Sequence, residues 1–454
     1  MKNLVSIKDL FSNNKFSFIE IYLYFAFIGL LFSLGSNVGN LNSEHFSIIK
    51  SLFEFRSLSP WIILSINIII LVKLFIKKKV LNINPIIFFF LLYIMFQIIG
   101  FYLNNLKIFH FHFIVGSLSF ISLILIILNI DKNHLTNIIN IYLIFIIIFI
   151  IFFLNQNPSL SYGSGWINFD NEKIVILNSN GFSRYFVILY LFCLVKLFLS
   201  NRNSFLLIIL LILFGTIINF FEGRFNIVMV SVFSLIIFFK KTEIINKIIT
   251  YFIISILPIF LTIILSAFIY SNLGDNLGDE KNILELLQDN PTNRFSPDSE
   301  RYFNKKDYFD AVSGDIEKFS TGRIGKWKII IQHKQANLNK IFGNGPEYDR
   351  KILSNVFHAG NDSANSLFYI YLSGGLISVF LVLILTINQL IVVYKKSFKN
   401  NTIKDEYLLF AIFIFVFIGA RGLLENGFGA WGMDQILFIL FGSLINIKPS
   451  KPKK

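Results

Sequence analysis

The sequence predicts an all-α polytopic membrane protein with about twelve transmembrane helices and one large extracytoplasmic loop between late helices. Three observations carry that reading. Of 454 residues, 55% are hydrophobic and 15% charged, well below the roughly one-quarter charged residues of soluble domains. Mean hydropathy is +0.67. Apolar runs of about 17 to 25 residues, the length that crosses a ~30 Å hydrocarbon layer, recur along the whole chain. The runs are continuous and lack the period-two alternation of a strand barrel.

In order, the runs lie near 17–35, 61–76, 86–103, 109–130, 137–154, 182–199, 204–221, 225–239 and 246–269, then 365–394, 407–424 and 430–446. The chain therefore divides into N-terminal helices over 1–269, a polar loop over 270–364, and C-terminal helices with a basic tail over 365–454. Lys2, Lys8 and Lys15 precede the first run. No small-residue cleavage pattern follows it, so it reads as an uncleaved span.

Lysines and arginines set the expected orientation. Lys77-Lys78-Lys79, Lys132, Arg202, Lys240-Lys241, Lys395, Lys396, Lys399, Lys404 and the tail from Lys448 fall on alternate loops. Cytoplasmic loops carry that excess, so both termini are expected in the cytoplasm. The loop 270–364 holds 13 Lys/Arg and 14 Asp/Glu, so the formal net charge of +14 resides in the rest of the chain. There it marks topology and attraction to lipid, not a nucleic-acid surface.

The polar loop bears Pro291 and Pro297 and then a helical stretch from about Gly322 to Ile341, which Ser320 or Thr321 can cap and Gly343 with Pro346 stop. Ile324, Trp327, Ile331, Leu338 and Ile341 fall near one face, with Lys326, Lys328, Lys334 and Lys340 elsewhere. Two readings stay open: a helix lying on the outer membrane surface, or a solvated helix packed on its own domain.

Four arginines lie on the outer side, where the orientation rule disfavours cations: Arg184, Arg224 in "FFEGRFN", Arg323 and Arg421 in "GARGLLENGFG". Each lies near Gly or Asn. Ionisable groups at membrane depth are functional candidates, and arginine matches phosphate oxygens with a charged, planar fork. Several such heads at the hydrocarbon boundary suit a lipid (pyro)phosphate. Beside them, "AGNDSANSLFYIYLSGG" opens a span with Asn361, Asp362, Ser363, Asn365 and Ser366, groups that suit sugar hydroxyls. At least one of them is expected simply to cap the helix. His358 and Asp362 are the titratable groups nearest to that stretch and are the candidate general bases. Gly374 and Gly375 are expected to permit close helix packing. Glu425 joins Arg421 as a binding candidate in the last outer loop.

Other chemistries lack their residues. Cys193, the single cysteine, reads as a small hydrophobe and cannot form an intrachain disulfide. His110 and His112 have no carboxylate nearby in sequence, so no metal site is expected. No phosphate-binding glycine loop, serine-hydrolase elbow or dinucleotide fingerprint occurs.

Four stretches resemble the superfamily of O-antigen polymerases (Wzy-type) and O-antigen ligases. "LNSNGFSRYFVILYL" is similar to its Asn-Gly segment leading into an Arg-bearing span. "NFFEGRFNIVMVSVF" is similar to its short outer turn with an Arg. "STGRIGKWKIIIQHKQANLNKIFGNGPE" resembles its Gly-Arg…Trp helix followed by Gly-x-Gly. "GNDSANSLFYIYLSGGLIS" resembles its Asn-Ser-Leu helix start with a Gly pair downstream. They cover about residues 175 to 380.

The resemblance implies a GT-C-like, metal-independent, inverting glycosyltransferase without a cofactor, acting on undecaprenyl-pyrophosphate-linked glycans. Membrane lipids, a chain-length regulator and a flippase are its further implied partners, and nucleic acid is not one. Carried over by position, Arg184 and Arg224 hold the pyrophosphate, Arg323 sits near the loop site and Asn365 lines the sugar site. Ligases commonly place His just before that Asn, and this chain has Ala364. That departure favours a polymerase over a ligase. A transporter or lipid-glycan flippase is the alternative from another class, disfavoured because no internal repeat is visible.

Overall fold

The computed structural model describes residues 18–33, 47–78, 80–105, 108–131, 133–155, 158–160, 167–169, 179–199, 205–220, 224–240, 251–273, 323–353, 365–396, 405–423 and 432–446. The chain is an all-α membrane protein. Its helices are α1 (Phe18–Ser33), α2 (Ser47–Lys78), α3 (Pro85–Leu103), α4 (Ile108–Ile130), α5 (Asn133–Asn155), α6 (Ser179–Leu199), α7 (Phe205–Phe220), α8 (Arg224–Lys240), α9 (Leu257–Leu273), α10 (Arg323–Gln332), α11 (Asn337–Phe342), α12 (Tyr348–Leu353), α13 (Ser366–Tyr394), α14 (Glu406–Arg421) and α15 (Met433–Ile445). A π-helical turn, Phe252–Ile256, runs into α9. Two three-residue strands, β1 (Pro158–Leu160) and β2 (Ile167–Phe169), pair antiparallel. These two strands are the only β-structure among the described residues.

Five described helices are long and apolar enough to cross a membrane: Leu58–Lys78, Pro85–Leu103, Phe111–Ile130, His134–Ile151 and Ser366–Tyr394. Within lipid each backbone N–H and C=O must find its partner inside the segment, so an unbroken apolar run becomes a helix. α2 begins well before the expected 61, continuing through Pro60.

α4 is the most enclosed of the five candidate spans, packed by α2 and α3. Buried polar groups lock these contacts. The amide of Asn67 donates to Ser122 Oγ at 2.9 Å and to the Ser119 carbonyl at 3.0 Å, and Tyr22 donates to Asn67 Oδ1 at 2.7 Å. Outward faces of α2 and α13 carry Ile62, Ile69, Phe75, Phe380 and Ile387, all exposed as lipid contact requires.

α14 runs opposite to α6 and α15, and α13 runs alongside α15, which gives the bundle a lysine end and an arginine end. At the lysine end, Lys196 of α6 pairs with Glu406 of α14 at 2.6 Å. There Lys78 donates to the Asn129 carbonyl at the end of α4, and Lys396 to the Ile445 carbonyl at the end of α15. Cations at helix C-termini meet the negative end of the helix dipole.

The stretch expected as one helix from Gly322 to Ile341 is two, with a bend over 333–336. Gly343, at φ 84°, ends the second as expected. The proposed caps Ser320 and Thr321 lie outside the described residues. The Gly374-Gly375 pair does more than permit close helix packing. Gly375 adopts φ 72° and ψ −177°, which breaks α13. The freed carbonyls of Leu372 and Ser373 accept the N–H groups of Asn344 and Gly345 at 2.8 and 2.9 Å. A Cβ on Gly375 would lie 2.1 Å from the Ile341 carbonyl oxygen, and one on Gly343 would lie 2.4 Å from the Gly374 nitrogen. Two backbones cross there at a distance only glycine permits.

Candidate functional site

The site forms where α6, α14 and α15 meet at the arginine end. Arg421 occupies the last turn of α14, and Asp434 the first turn of α15 after the N-cap Gly432. Each charge sits at the helix terminus whose dipole favours it. Both Asp434 oxygens are engaged. Arg184 Nη1 donates to Oδ1 at 2.6 Å and Arg421 Nε to Oδ2 at 2.9 Å. Side-chain exposure is 12% for Arg184, 8% for Arg421 and 4% for Asp434, so the three are shielded from solvent together.

The two helices that carry Arg421 and Asp434 are short for a membrane crossing. α15 has 13 residues and α14 has 16, rising about 20 and 24 Å across a layer of about 30 Å. Arg184 lies about a turn and a half inside α6. Burying charge there is unfavourable unless it is paired. Asp434 supplies the pairing for both guanidiniums, one on each oxygen. Arg184 Nε is buried with no hydrogen-bond partner among the described residues. The guanidinium carbon lies 5.6 Å from the centroid of the Tyr185 ring, which packs on Phe149. A buried guanidinium with an unused Nε donor, beside aromatic rings, is an arrangement that can take an anion.

Arg224 opens α8, and its side chain lies outside the described residues. Two positions on, Asn226 donates to Ser183 Oγ, next to Arg184. The starts of α6 and α8 are thus tied together, and Arg224 enters at the arginine end. Asn365 is the N-cap of α13. Its Oδ1 accepts from the Leu367 and Phe368 N–H groups at 2.8 and 3.2 Å, and its Nδ2 donates to the Leu423 carbonyl at 2.8 Å. Ser366 N–H donates to the Gly422 carbonyl at 2.8 Å. The capping expectation therefore falls on Asn365, and its amide joins the start of α13 to the end of α14 beside Arg421. Arg323 opens α10, which reaches the same region through Trp327, whose ring lies 5.8 Å from that of Phe368. The side chain of Arg323, together with His358, Asp362 and Glu425, lies outside the described residues.

Asp434 escaped the sequence reading, although a lone carboxylate in the run "GMDQILFILF" was a signal for it. Glu347 and Asp349 escaped as well. Both are buried where the Gly343–Gly345 segment crosses α13, and Glu347 pairs with Arg350 at 2.7 Å. Near them Tyr93 Oη bonds Ser373 Oγ at 3.0 Å. Among the described residues no group of three or more His, Cys, Asp or Glu could hold a metal.

No family model matches this chain, and no curated protein or solved structure matches it at a significant level.

Proposed function

We propose that this protein polymerises undecaprenyl-pyrophosphate-linked oligosaccharide repeat units into a surface polysaccharide at the outer face of the inner membrane. The observation that carries the reading is the meeting of Arg184 and Arg421, from helices remote in sequence, on one buried carboxylate. In the transfer, an acceptor sugar hydroxyl attacks the anomeric carbon of the donor glycan. The new C–O bond forms as the bond from that carbon to the pyrophosphate oxygen breaks, with inversion. The lipid pyrophosphate leaves with the electron pair. The hydroxyl proton passes to a base, for which Asp362 and His358 are the candidates. The leaving group gathers negative charge, which preorganised guanidiniums in a low-dielectric site stabilise strongly. Asp434 keeps two of them aligned before substrate arrives, and Arg224 adds a third cation. The protein's own residues thus supply cationic stabilisation of the pyrophosphate.

One observation favours a second reading, a lipid-glycan flippase or other transporter. α13 is broken at Gly375, roughly 14 Å from its start, and broken helices mark transporter sites, although this break is level with the end of α3, where Gly100 meets the same Gly343–Gly345 segment. Here loop N–H groups occupy the freed carbonyls at 372 and 373, so those carbonyls do not face a substrate path.

The test is a glycan profile of a deletion strain complemented with wild type, Arg224→Ala or Arg184→Lys. The polymerase reading expects single repeat units on lipid A core in the deletion, a ladder with wild type and none with the variants. Polymer retained on the lipid carrier with bare core would identify a ligase. An unchanged surface glycan would remove the family reading and favour the transporter.

A further inference from the structure

α10 and α11 have two dissimilar sides. One side belongs to the bundle. Ile330 is buried with Ile352, Leu353 and Leu372, Trp327 meets Phe368, and Phe342 stacks on Phe96 of α3 with ring centroids 6.1 Å apart. The other side is open. Ile331, Leu338 and Ile341 are 69%, 58% and 42% exposed, large apolar side chains left uncovered. Exposed Lys334 and Lys340 are interleaved with them. Across 323–342 the chain carries Arg323, Lys326, Lys328, Lys334 and Lys340 and no Asp or Glu.

The height of this open side is fixed. Asn339 Nδ2 on α11 donates at 3.0 Å to Oδ1 of Asn104, the residue that ends α3. α3 is one of the helices long and apolar enough to span. α11 therefore lies at the level where α3 leaves the hydrocarbon. The Gly343–Gly345 crossing with α13 pins the same segment a second time.

We infer that the open side of α10–α11 is a seat for an anionic phospholipid leaflet at the arginine end of the bundle. Ile331, Leu338 and Ile341 enter the boundary between headgroups and acyl chains, while Lys334 and Lys340 reach the phosphates. Exposed Lys334 and Lys340, in a stretch without Asp or Glu, match anionic headgroups and give no complementary surface to a basic partner. This inference is independent of the glycan reading.

The experiment uses the full chain with Cys193→Ala and Leu338→Cys, labelled with an environment-sensitive fluorophore. The protein is reconstituted in phosphatidylcholine vesicles with a rising fraction of phosphatidylglycerol. The seat predicts a blue shift and several-fold protection from the neutral quencher acrylamide as that fraction rises. Lys334→Gln with Lys340→Gln removes two exposed cations. At about fivefold per lysine, the docked state is expected to weaken roughly 30-fold. Protection that is independent of the phosphatidylglycerol fraction, or unmoved by the double variant, overturns the inference. So does protection that follows the protein-to-lipid ratio, which would assign the open side to a second copy of the chain.

Discussion

Arg421 Nε and Asp434 Oδ2 lie 2.9 Å apart, joining the end of one helix to the start of the next across the segment 424–431. Arg184 takes the second oxygen of the same carboxylate at 2.6 Å. Removing that carboxylate takes the shared partner from two buried cations. Asp434→Ala is expected to cost on the order of 3–5 kcal/mol. The reporter is native to the chain: Cys193 is buried, so the temperature at which a thiol-reactive dye labels it tracks unfolding. The double change Asp434→Ala with Arg421→Ala should cost less than the sum of the singles, because the residues couple directly. Strict additivity would show that the pair is not energetically linked.

Asn365 separates a structural role from a sugar-binding one. Its oxygen caps α13 and its amide nitrogen holds Leu423. Asn365→Ala should lose about 0.5–2 kcal/mol from the cap, whereas Asn365→Asp keeps the cap acceptor and loses the bond to Leu423. If glycan transfer follows folded protein in both variants, the residue acts through structure. A much larger loss of transfer in Asn365→Asp than in folded protein would place the amide on substrate.

The glycines differ sharply in what they tolerate. Gly375→Ala forces a side chain onto φ 72° and onto the Ile341 carbonyl, so loss of the folded state, or of α10–α12 docking, is expected. Gly419, in α14, has nothing within 4 Å of an added Cβ. Gly419→Ala should be neutral or more stable by up to about 1 kcal/mol through helix propensity. Equal thermal shifts in the two variants would contradict the backbone crossing.

His333 lies at the bend between α10 and α11, its Nε2 3.5 Å from Tyr348 Oη. Desolvation by burial lowers its pKa from the ordinary 6.5. The unfolded chain then binds the proton more readily, so this contribution is present above about pH 6.5 and is lost as pH falls through the lowered value. Hydrogen exchange over 323–353, corrected for intrinsic rate, should accelerate in mildly acidic buffer relative to neutral. His333→Gln should remove that difference. An unchanged pH response in the variant would assign it to another group.

Membrane character and most helix positions were legible in the sequence, because run length and hydropathy are local properties and lipid leaves an unbroken apolar run few alternatives to helix. The stop at Gly343 and a cap within residues 361–366 were legible for the same local reason. The bend at 333–336 was not. A face drawn from helical period treats Ile324, Trp327, Ile331, Leu338 and Ile341 alike, whereas packing on α13 buries Ile330 and leaves Ile331 open. Nor did the Gly374-Gly375 pair announce a helix break, since glycine pairs serve close packing equally well. The break needs a second backbone to take the freed carbonyls.

By itself, the sequence determined that this chain is a helical membrane protein with arginines at unusual places. Only the tertiary structure decided that Arg184 and Arg421 meet, that the start of α8 is tied to the start of α6 beside them, and that Asp434 holds the two arginines together. The physical reason is one of range. Hydropathy acts over a single helix length, whereas a buried ion cluster depends on which helix ends pack against each other, and that choice is made by contacts between segments far apart in the chain.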